Sequence, residues 1–348
     1  MTVTLEGERL AEVARRLRDA DTGGWRQPAL RALVSSLGWE WREAAGDAGE
    51  AWLRPTGRYE SDFVHDGEEF VGLHVPVELV AGGATAKAES FRRAAETLTE
   101  AFGRASIMGA YGDLGPFYES TPVWGSPFLR WRGKPDTLEL RAGERGPELL
   151  LQPTDPAENW FWRQGHGEAH AIGGFFGSRR VSANGGLGFP GYWQTDDWDV
   201  YTSALSDFLG SLPAETSALG IGLDLGIHAL VPGTYGPVVF HIVCGDQLEI
   251  VYSTEELDGA GPGTDPASLG WIPEATAPAR LSHWIDWTHH SGVFGPDDTD
   301  GPRLARLLVD TLRGLGVSSP KDLSLSDHAQ TVDDYQVDFY GLTLRENP

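Results

Sequence analysis

The chain has 348 residues, of which 40% are apolar, and its formal net charge is −24. The length predicts two domains with buried cores, and the acidic balance argues against nucleic acid or an anionic membrane surface as a partner. The single cysteine, Cys244, cannot form an internal disulfide, and the first residues lack the apolar run of a secretory signal, so we expect a cytoplasmic protein.

The first 155 residues carry patterns typical of helices and then of strands. Apolar residues recur at helical spacing in three segments, at residues 10–17, 30–37 and 91–102. From residue 70 to 79 apolar and polar residues alternate, which predicts a half-buried strand, and Pro76 predicts that this strand lies at a sheet edge. Three further strands are predicted, at residues 128–132, 137–141 and 148–152. Adjacent strands with short turns favour an antiparallel sheet with helices on one face.

The remainder of the chain predicts a second domain of the same class. Residues 156–200 are rich in aromatic residues and glycine, and we interpret them as an ordered connection because a flexible linker would be polar. A helix, a β-hairpin, a second helix and a final strand are then predicted, near residues 201–212, 238–253, 301–315 and 335–339. The predicted fold is therefore α+β with two domains, 1–155 and 201–348, each an antiparallel sheet with helices packed on one face.

Acidic residues are concentrated in the second half of the chain. The net charge is −7 over residues 1–165 and −17 over residues 166–348. The 99 residues between Arg180 and Arg280 contain 13 acidic residues and no Lys or Arg, so this segment cannot neutralise itself through internal ion pairs. Its charge either maintains solubility or forms a docking face for a basic protein partner.

One short segment combines this charge with aromatic rings. Rings and carboxylates are interleaved along it at six positions, Tyr192, Trp193, Asp196, Asp197, Trp198 and Asp199. This mixture suits Arg-rich surfaces, which bind through cation–π contacts and charge-assisted hydrogen bonds, so these six residues are our candidate partner-binding site. The alternative interpretation is that the tryptophans fill the core between the two domains.

No standard catalytic signature occurs in the sequence, so we predict no catalytic residue and no cofactor. The densest group of metal-binding residue types is His283, Asp286, His289 and His290. These side chains would suit zinc or non-haem iron if the backbone brought them together, although their spacing matches no established metal motif. A metal-dependent hydrolase built on this cluster is the enzymatic alternative to a binding protein.

A set of short motifs in the first domain carries a family resemblance. They are Trp25, Leu37-Gly38-Trp39, Trp52 with Thr56-Gly57, the strand 75–80, Ala101-Phe102-Gly103, Leu129-Arg130-Trp131-Arg132 and Thr137-Leu138-Glu139-Leu140. With these motifs the domain resembles an uncharacterised actinobacterial domain family associated with polymorphic-toxin immunity proteins. The resemblance implies a non-enzymatic, immunity-type inhibitor, and the acidic second domain, which lies outside it, suits a basic toxin as the partner. A general interaction scaffold is the remaining alternative.

Overall fold

The structure is a computed structural model, and it describes the chain in segments. The described residues are 4–42, 50–58, 69–110, 122–155, 176–180, 195–253, 257, 266–273, 282–285, 293–326, 329–332, 335–338 and 345–346. They form two largely antiparallel sheets with helices packed against them, so the predicted α+β class is confirmed. Within these segments, no helix combines the length and the apolar character that crossing a membrane requires.

Helices form where the sequence combines apolar periodicity with suitable ends. They are α1 (Gly7–Arg18), α2 (Gln27–Ser36), α3 (Ala84–Phe102), α4 (Trp198–Leu219), α5 (Pro266–Leu269) and α6 (Gly301–Gly314). The three helices predicted in the first domain are confirmed as α1, α2 and α3. Helix α4 is longer than the predicted 201–212, because it continues through Pro213 and ends only at Gly220, which adopts the left-handed conformation.

Strands occupy most of the remaining described residues. They are β1 (Glu40–Arg42), β2 (Glu50–Arg58), β3 (Glu69–Pro76), β4 (Ile107–Ala110), β5 (Pro127–Trp131), β6 (Asp136–Gly143), β7 (Gly146–Pro153), β8 (Phe176–Arg180), β9 (Leu223–Ala229), β10 (Val238–Cys244), β11 (Leu248–Ser253), β12 (Trp271–Pro273), β13 (Ser282–Ile285), β14 (Val293–Phe294), β15 (Leu323–Ser326), β16 (Ala329–Val332), β17 (Tyr335–Asp338) and β18 (Arg345–Glu346). The predicted strands of the first domain correspond to β3, β5, β6 and β7, and the predicted hairpin is β10–β11.

The first sheet has the strand order β1-β2-β3-β7-β6-β5-β4-β8-β17-β16. Its neighbours are antiparallel except for β1 and β2, which are parallel. Strand β8 comes from the predicted connection, and β16 and β17 come from the predicted second domain. The first sheet therefore draws strands from all three predicted segments of the chain. The second sheet has the order β12-β13-β11-β10-β9-β15-β18, with β14 also paired to β11.

Strand β3 differs from its prediction in two respects. It lies inside the first sheet, between β2 and β7, so the predicted edge position is wrong. Pro76 is the last residue of the strand, where a missing backbone N–H disturbs the ladder least. The polar side of the strand is buried as well, because His74 has 0% of its surface exposed.

Helix α4 connects the two apolar cores of the protein. The first core lies between the first sheet and helices α1 and α3, and the second lies between the second sheet and helices α4 and α6. The early part of α4 contributes Leu205 and Phe208 to the second core. Its later part contributes Ala214 and Ala218 to the first core. The two halves are therefore packed against each other through one helix.

The start of α3 is capped by a residue from the second half of the chain. Asp297, in the loop before α6, accepts hydrogen bonds through Oδ1 from the amides of Ala84 (2.6 Å) and Thr85 (3.4 Å). A Cβ at residue 83 would fall 2.1 Å from that oxygen, so Gly83 permits the approach. A hydrogen bond with the Thr85 side chain, followed by the two amide bonds, lowers the pKa of Asp297.

Replacing Asp297 with alanine is expected to lower the free energy of unfolding by about 1 kcal/mol at neutral pH, because α3 loses its N-terminal cap. The lowered pKa means that this stabilisation is present above the carboxyl's ordinary pKa of 3.8 and disappears as the pH falls further. Urea denaturation at pH 7 and pH 3 checks both statements. Asp298→Ala is the control, since that side chain is exposed and should change stability by less than about 0.5 kcal/mol.

Candidate protein-binding surface

The first turn of α4 contains three of the six candidate residues, Asp197, Trp198 and Asp199. Asp197 is the N-cap, and its Oδ1 accepts hydrogen bonds from the amides of Asp199 (2.8 Å) and Val200 (3.5 Å). The helix dipole places partial positive charge at this end, so acidic residues are stabilised there. Asp197 and Asp199 therefore stabilise the start of the helix and also leave two carboxylates exposed to solvent.

Asp196 and Trp198 tie the start of α4 to residues that follow α6. The Lys321 ammonium donates to Asp196 Oδ2 at 2.9 Å, and this hydrogen bond, together with the lysine charge, holds the pKa of Asp196 below its ordinary value. The indole N–H of Trp198 donates to the carbonyl of Ser318 at 3.3 Å. The Trp198 ring meets Tyr201 edge-on and packs, half-buried, against the second core.

The loop between β9 and β10, residues 230–237, reaches the same part of the molecule. The amide of Leu230 donates to the carbonyl of Asp322 at 2.9 Å, next to the lysine that pairs with Asp196. Two large side chains of this loop face solvent, since Leu230 is 54% exposed and Tyr235 is fully exposed. An exposed tyrosine of this kind can anchor a protein–protein interface because it buries a large area at a small cost in side-chain entropy.

The exposed carboxylates and the exposed loop side chains together form what we call the α4-end surface. It consists of Asp196, Asp197, Asp199, Leu230 and Tyr235. Ser318 and Lys321 contact the start of α4, and the next residue, Asp322, accepts a hydrogen bond from the amide of Leu230, so the base of the loop lies near the carboxylates. Tyr235 belongs to the same loop. Sequence reasoning identified the carboxylates and missed the loop. The only local signal for it is a tyrosine between glycines in a turn-rich stretch.

The remaining candidate residues fall mainly outside the described part of the chain. Tyr192 and Trp193 lie there, as do Asp286, His289 and His290 of the alternative metal cluster. His283 is placed in strand β13. Among the residues that the structure describes, no three His, Cys, Asp or Glu side chains are grouped so as to hold a metal ion. The metal site stays a prediction.

Sequence reasoning also missed a layer of buried charge in the first sheet. Arg130 on β5 donates through Nε to Glu139 Oε2 on β6 at 2.7 Å, and the two side chains are 1% and 0% exposed. His74 Nδ1 lies 2.9 Å from Glu148 Oε1, which is also 3.4 Å from Arg141 Nε. These charges alternate with the leucines of the first core, so they lie on the sheet face away from α1 and α3.

The positions of both buried charge pairs can be recognised from the sequence. Arg130 opposes Glu139 across β5 and β6, and Arg141 opposes Glu148 across β6 and β7. Opposite charges at facing positions of two predicted hairpins would have identified both pairs. Their mutual pairing supports a structural role in the sheet, because separating buried charges is costly.

Comparisons with protein-family models, curated proteins and solved structures give no match. The family resemblance of the first domain therefore stays a prediction.

Proposed function

We propose that the protein is a non-enzymatic inhibitor of the immunity type, which binds and neutralises a cognate basic toxin in the cytoplasm of the cell that makes it. The observation that carries this proposal is the α4-end surface, in which three carboxylates accompany the exposed Tyr235 and Leu230. Toxins that attack nucleic acids need basic clefts to hold phosphates, so an acidic protein surface can occupy such a cleft.

The two components of the surface support different steps of binding. The carboxylates provide a long-range field that accelerates encounter with a basic protein, whereas Tyr235 and Leu230 provide apolar area that is buried only in the complex. The Asp196–Lys321 ion pair is exposed, with side chains 73% and 49% accessible, so an arginine of the partner can replace Lys321 at small cost.

Replacing Asp196, Asp197 and Asp199 together with asparagine is expected to reduce capture of the partner at least about tenfold at low salt. Asparagine caps a helix as well as aspartate does, and the Asp196–Lys321 ion pair that is lost is exposed and contributes little, so α4 should keep its fold while three negative charges are removed. The measurement is quantitative mass spectrometry of proteins retained from lysate of the native host by immobilised wild-type and variant protein.

The matched control replaces Glu89, Glu96 and Glu100 with glutamine, which removes the same charge from the exposed side of α3. Retention of the partner by this control, together with its loss from the asparagine variant, supports the proposal. Tyr235→Ala should lose the partner at both low and high salt, because an apolar contact is not screened. Equal retention by the wild-type protein and the asparagine variant contradicts the proposal.

A further inference from the structure

Two consecutive residues in the buried part of α4 bond to opposite sheets. Glu215 faces the first sheet, where its Oε1 accepts hydrogen bonds from the amide (3.1 Å) and the hydroxyl (3.4 Å) of Ser126, next to β5. Thr216 faces the second sheet, where its Oγ1 donates to the carbonyl of Gly245 and lies 3.3 Å from Cys244 Sγ. One turn of α4 thus makes a polar contact with each of the two halves.

Glu215 is completely buried and only half satisfied. Its second oxygen, Oε2, has no hydrogen-bond partner among the described residues. The hydroxyl of Ser211, one helical turn earlier, donates to the carbonyl of Asp207 at 3.0 Å and also interacts with the Glu215 carboxyl group. A Cβ at residue 125, where φ is +130°, would fall 3.0 Å from Glu215 Cγ, so Gly125 brings the backbone directly onto the carboxylate.

Opposite charge is absent from the immediate surroundings of Glu215 within the described part of the chain. On β10 the nearest titratable group is Cys244, whose thiol has a pKa raised to about 12 by burial and therefore stays neutral. Asp246, in the following turn, pairs with Arg92 of α3 at 3.2 Å in an exposed position. The other charged residues on the elements that pack against α4 are Arg130 of β5, which pairs with Glu139 on the far face of the first sheet, and exposed or half-exposed residues of α3, β11 and α6. These are Lys87, Glu89, Arg93, Glu96, Glu100, Glu249, Arg303, Arg306, Asp310 and Arg313.

We propose that Glu215 is a proton-controlled clasp, which holds the two halves of the protein together while its carboxyl group is neutral and loosens their contact when the group ionises. The neutral carboxyl keeps the Ser126 amide bonded and leaves no net charge in the junction. The ionised carboxylate places a charge there with one oxygen unpartnered, and that charge gains solvation when the 122–126 segment separates from α4.

The direction of the pH effect follows from the balance of burial and hydrogen bonding. Burial raises the pKa of Glu215 from 4.5 to about 7, although hydrogen bonds from Ser126 and Ser211 favour the ionised form, so desolvation is the larger effect. The stabilising contribution is therefore complete below pH 4.5 and is lost as the pH rises through about 7. With these two values the opening equilibrium should increase roughly 30-fold between about pH 5.5 and 8.5.

Hydrogen exchange of the Ser126 amide tests the clasp in the intact protein. The protection factor of this amide, which corrects for the intrinsic effect of pH on exchange, should fall roughly 30-fold over that pH range in the wild type. It should stay constant in Glu215→Gln, which keeps the acceptor oxygen and cannot ionise. Glu96→Gln, at an exposed position of α3, should behave like the wild type.

Two results would overturn this inference. One is a wild-type protection factor that is unchanged between the two pH values, and this result can be obtained even if Glu215→Gln does not fold. The other is a fall of equal size in Glu215→Gln, which would assign the pH effect to a different group. Neither result depends on the binding of a toxin.

Discussion

Replacing Glu139 with glutamine is expected to lower the free energy of unfolding by about 3–5 kcal/mol. Glu139 and Arg130 are joined at 2.7 Å in a position where neither side chain reaches solvent. The substitution keeps the shape of the side chain but removes the charge that compensates Arg130. A buried guanidinium without its counter-charge is far more costly than the loss of one ordinary hydrogen bond.

Urea denaturation of the wild type, Glu139→Gln and a double variant measures this effect. The double variant, Arg130→Met with Glu139→Leu, should recover most of the lost stability, because two apolar side chains leave no unpaired charge. Glu89→Gln, on the exposed side of α3, is the control and should change stability by less than about 0.5 kcal/mol. A loss below about 1 kcal/mol in Glu139→Gln would show that the pair is not a structural element of the sheet.

Replacing Gly301 with alanine is expected to cost about 3 kcal/mol, because α6 must move away from α4. An added Cβ would lie 2.2 Å from the carbonyl oxygen of Ser206 and 2.9 Å from the backbone of Gly210. Backbone atoms cannot rotate out of the way as a flexible side chain can. The contact therefore has to open along the second core, where α4 and α6 bury Leu205, Leu304 and other apolar residues.

Gly210→Ala is the matched control for this steric effect. The two glycines face each other, but a Cβ on Gly210 would meet the Gly301 backbone at 3.6 Å, which is an ordinary contact distance. Alanine is also the better helix former, so this variant should be neutral or slightly more stable. Thermal unfolding compares the stability of the Gly301→Ala and Gly210→Ala variants. Equal destabilisation of the two would contradict the close packing of Gly301 against α4.

The helix starts and turns of this chain can be predicted from residues that are close together in the sequence. Asp300 before Pro302 predicts a helix start, and in the structure Asp300 Oδ1 accepts a hydrogen bond from the amide of Arg303 at 3.0 Å. Gly245 and Asp246 predict the turn between β10 and β11, and the two strands pair as expected. These features depend on residues within one or two turns, so their chemistry is visible in a short stretch of sequence.

Long-range features could not be predicted in the same way. Asp297 caps a helix that begins 213 residues earlier, and β17 joins a sheet built mainly from the first half of the chain. Neither contact leaves a pattern in the local sequence. The edge position predicted for β3 is wrong for a related reason, since a proline at a strand end and a proline at a sheet edge give the same signal.

The candidate surface was predictable only in part. Its carboxylates stand out because no Lys or Arg occurs near them in the sequence. The exposure of Tyr235 depends on what packs against its loop, and that is decided by the fold. Conversely, Asp197 is both a candidate binding residue and a helix cap, and sequence composition alone does not separate these two roles.

The most direct test of the proposed inhibitor is the salt dependence of its association with the isolated partner. Association rates of the wild type, the triple asparagine variant and the triple glutamine control are measured at several ionic strengths. We predict that the asparagine variant associates about tenfold more slowly at low salt, with a flatter salt dependence, whereas the control matches the wild type. Identical rates and salt dependences for all three proteins would contradict the α4-end surface as the docking site.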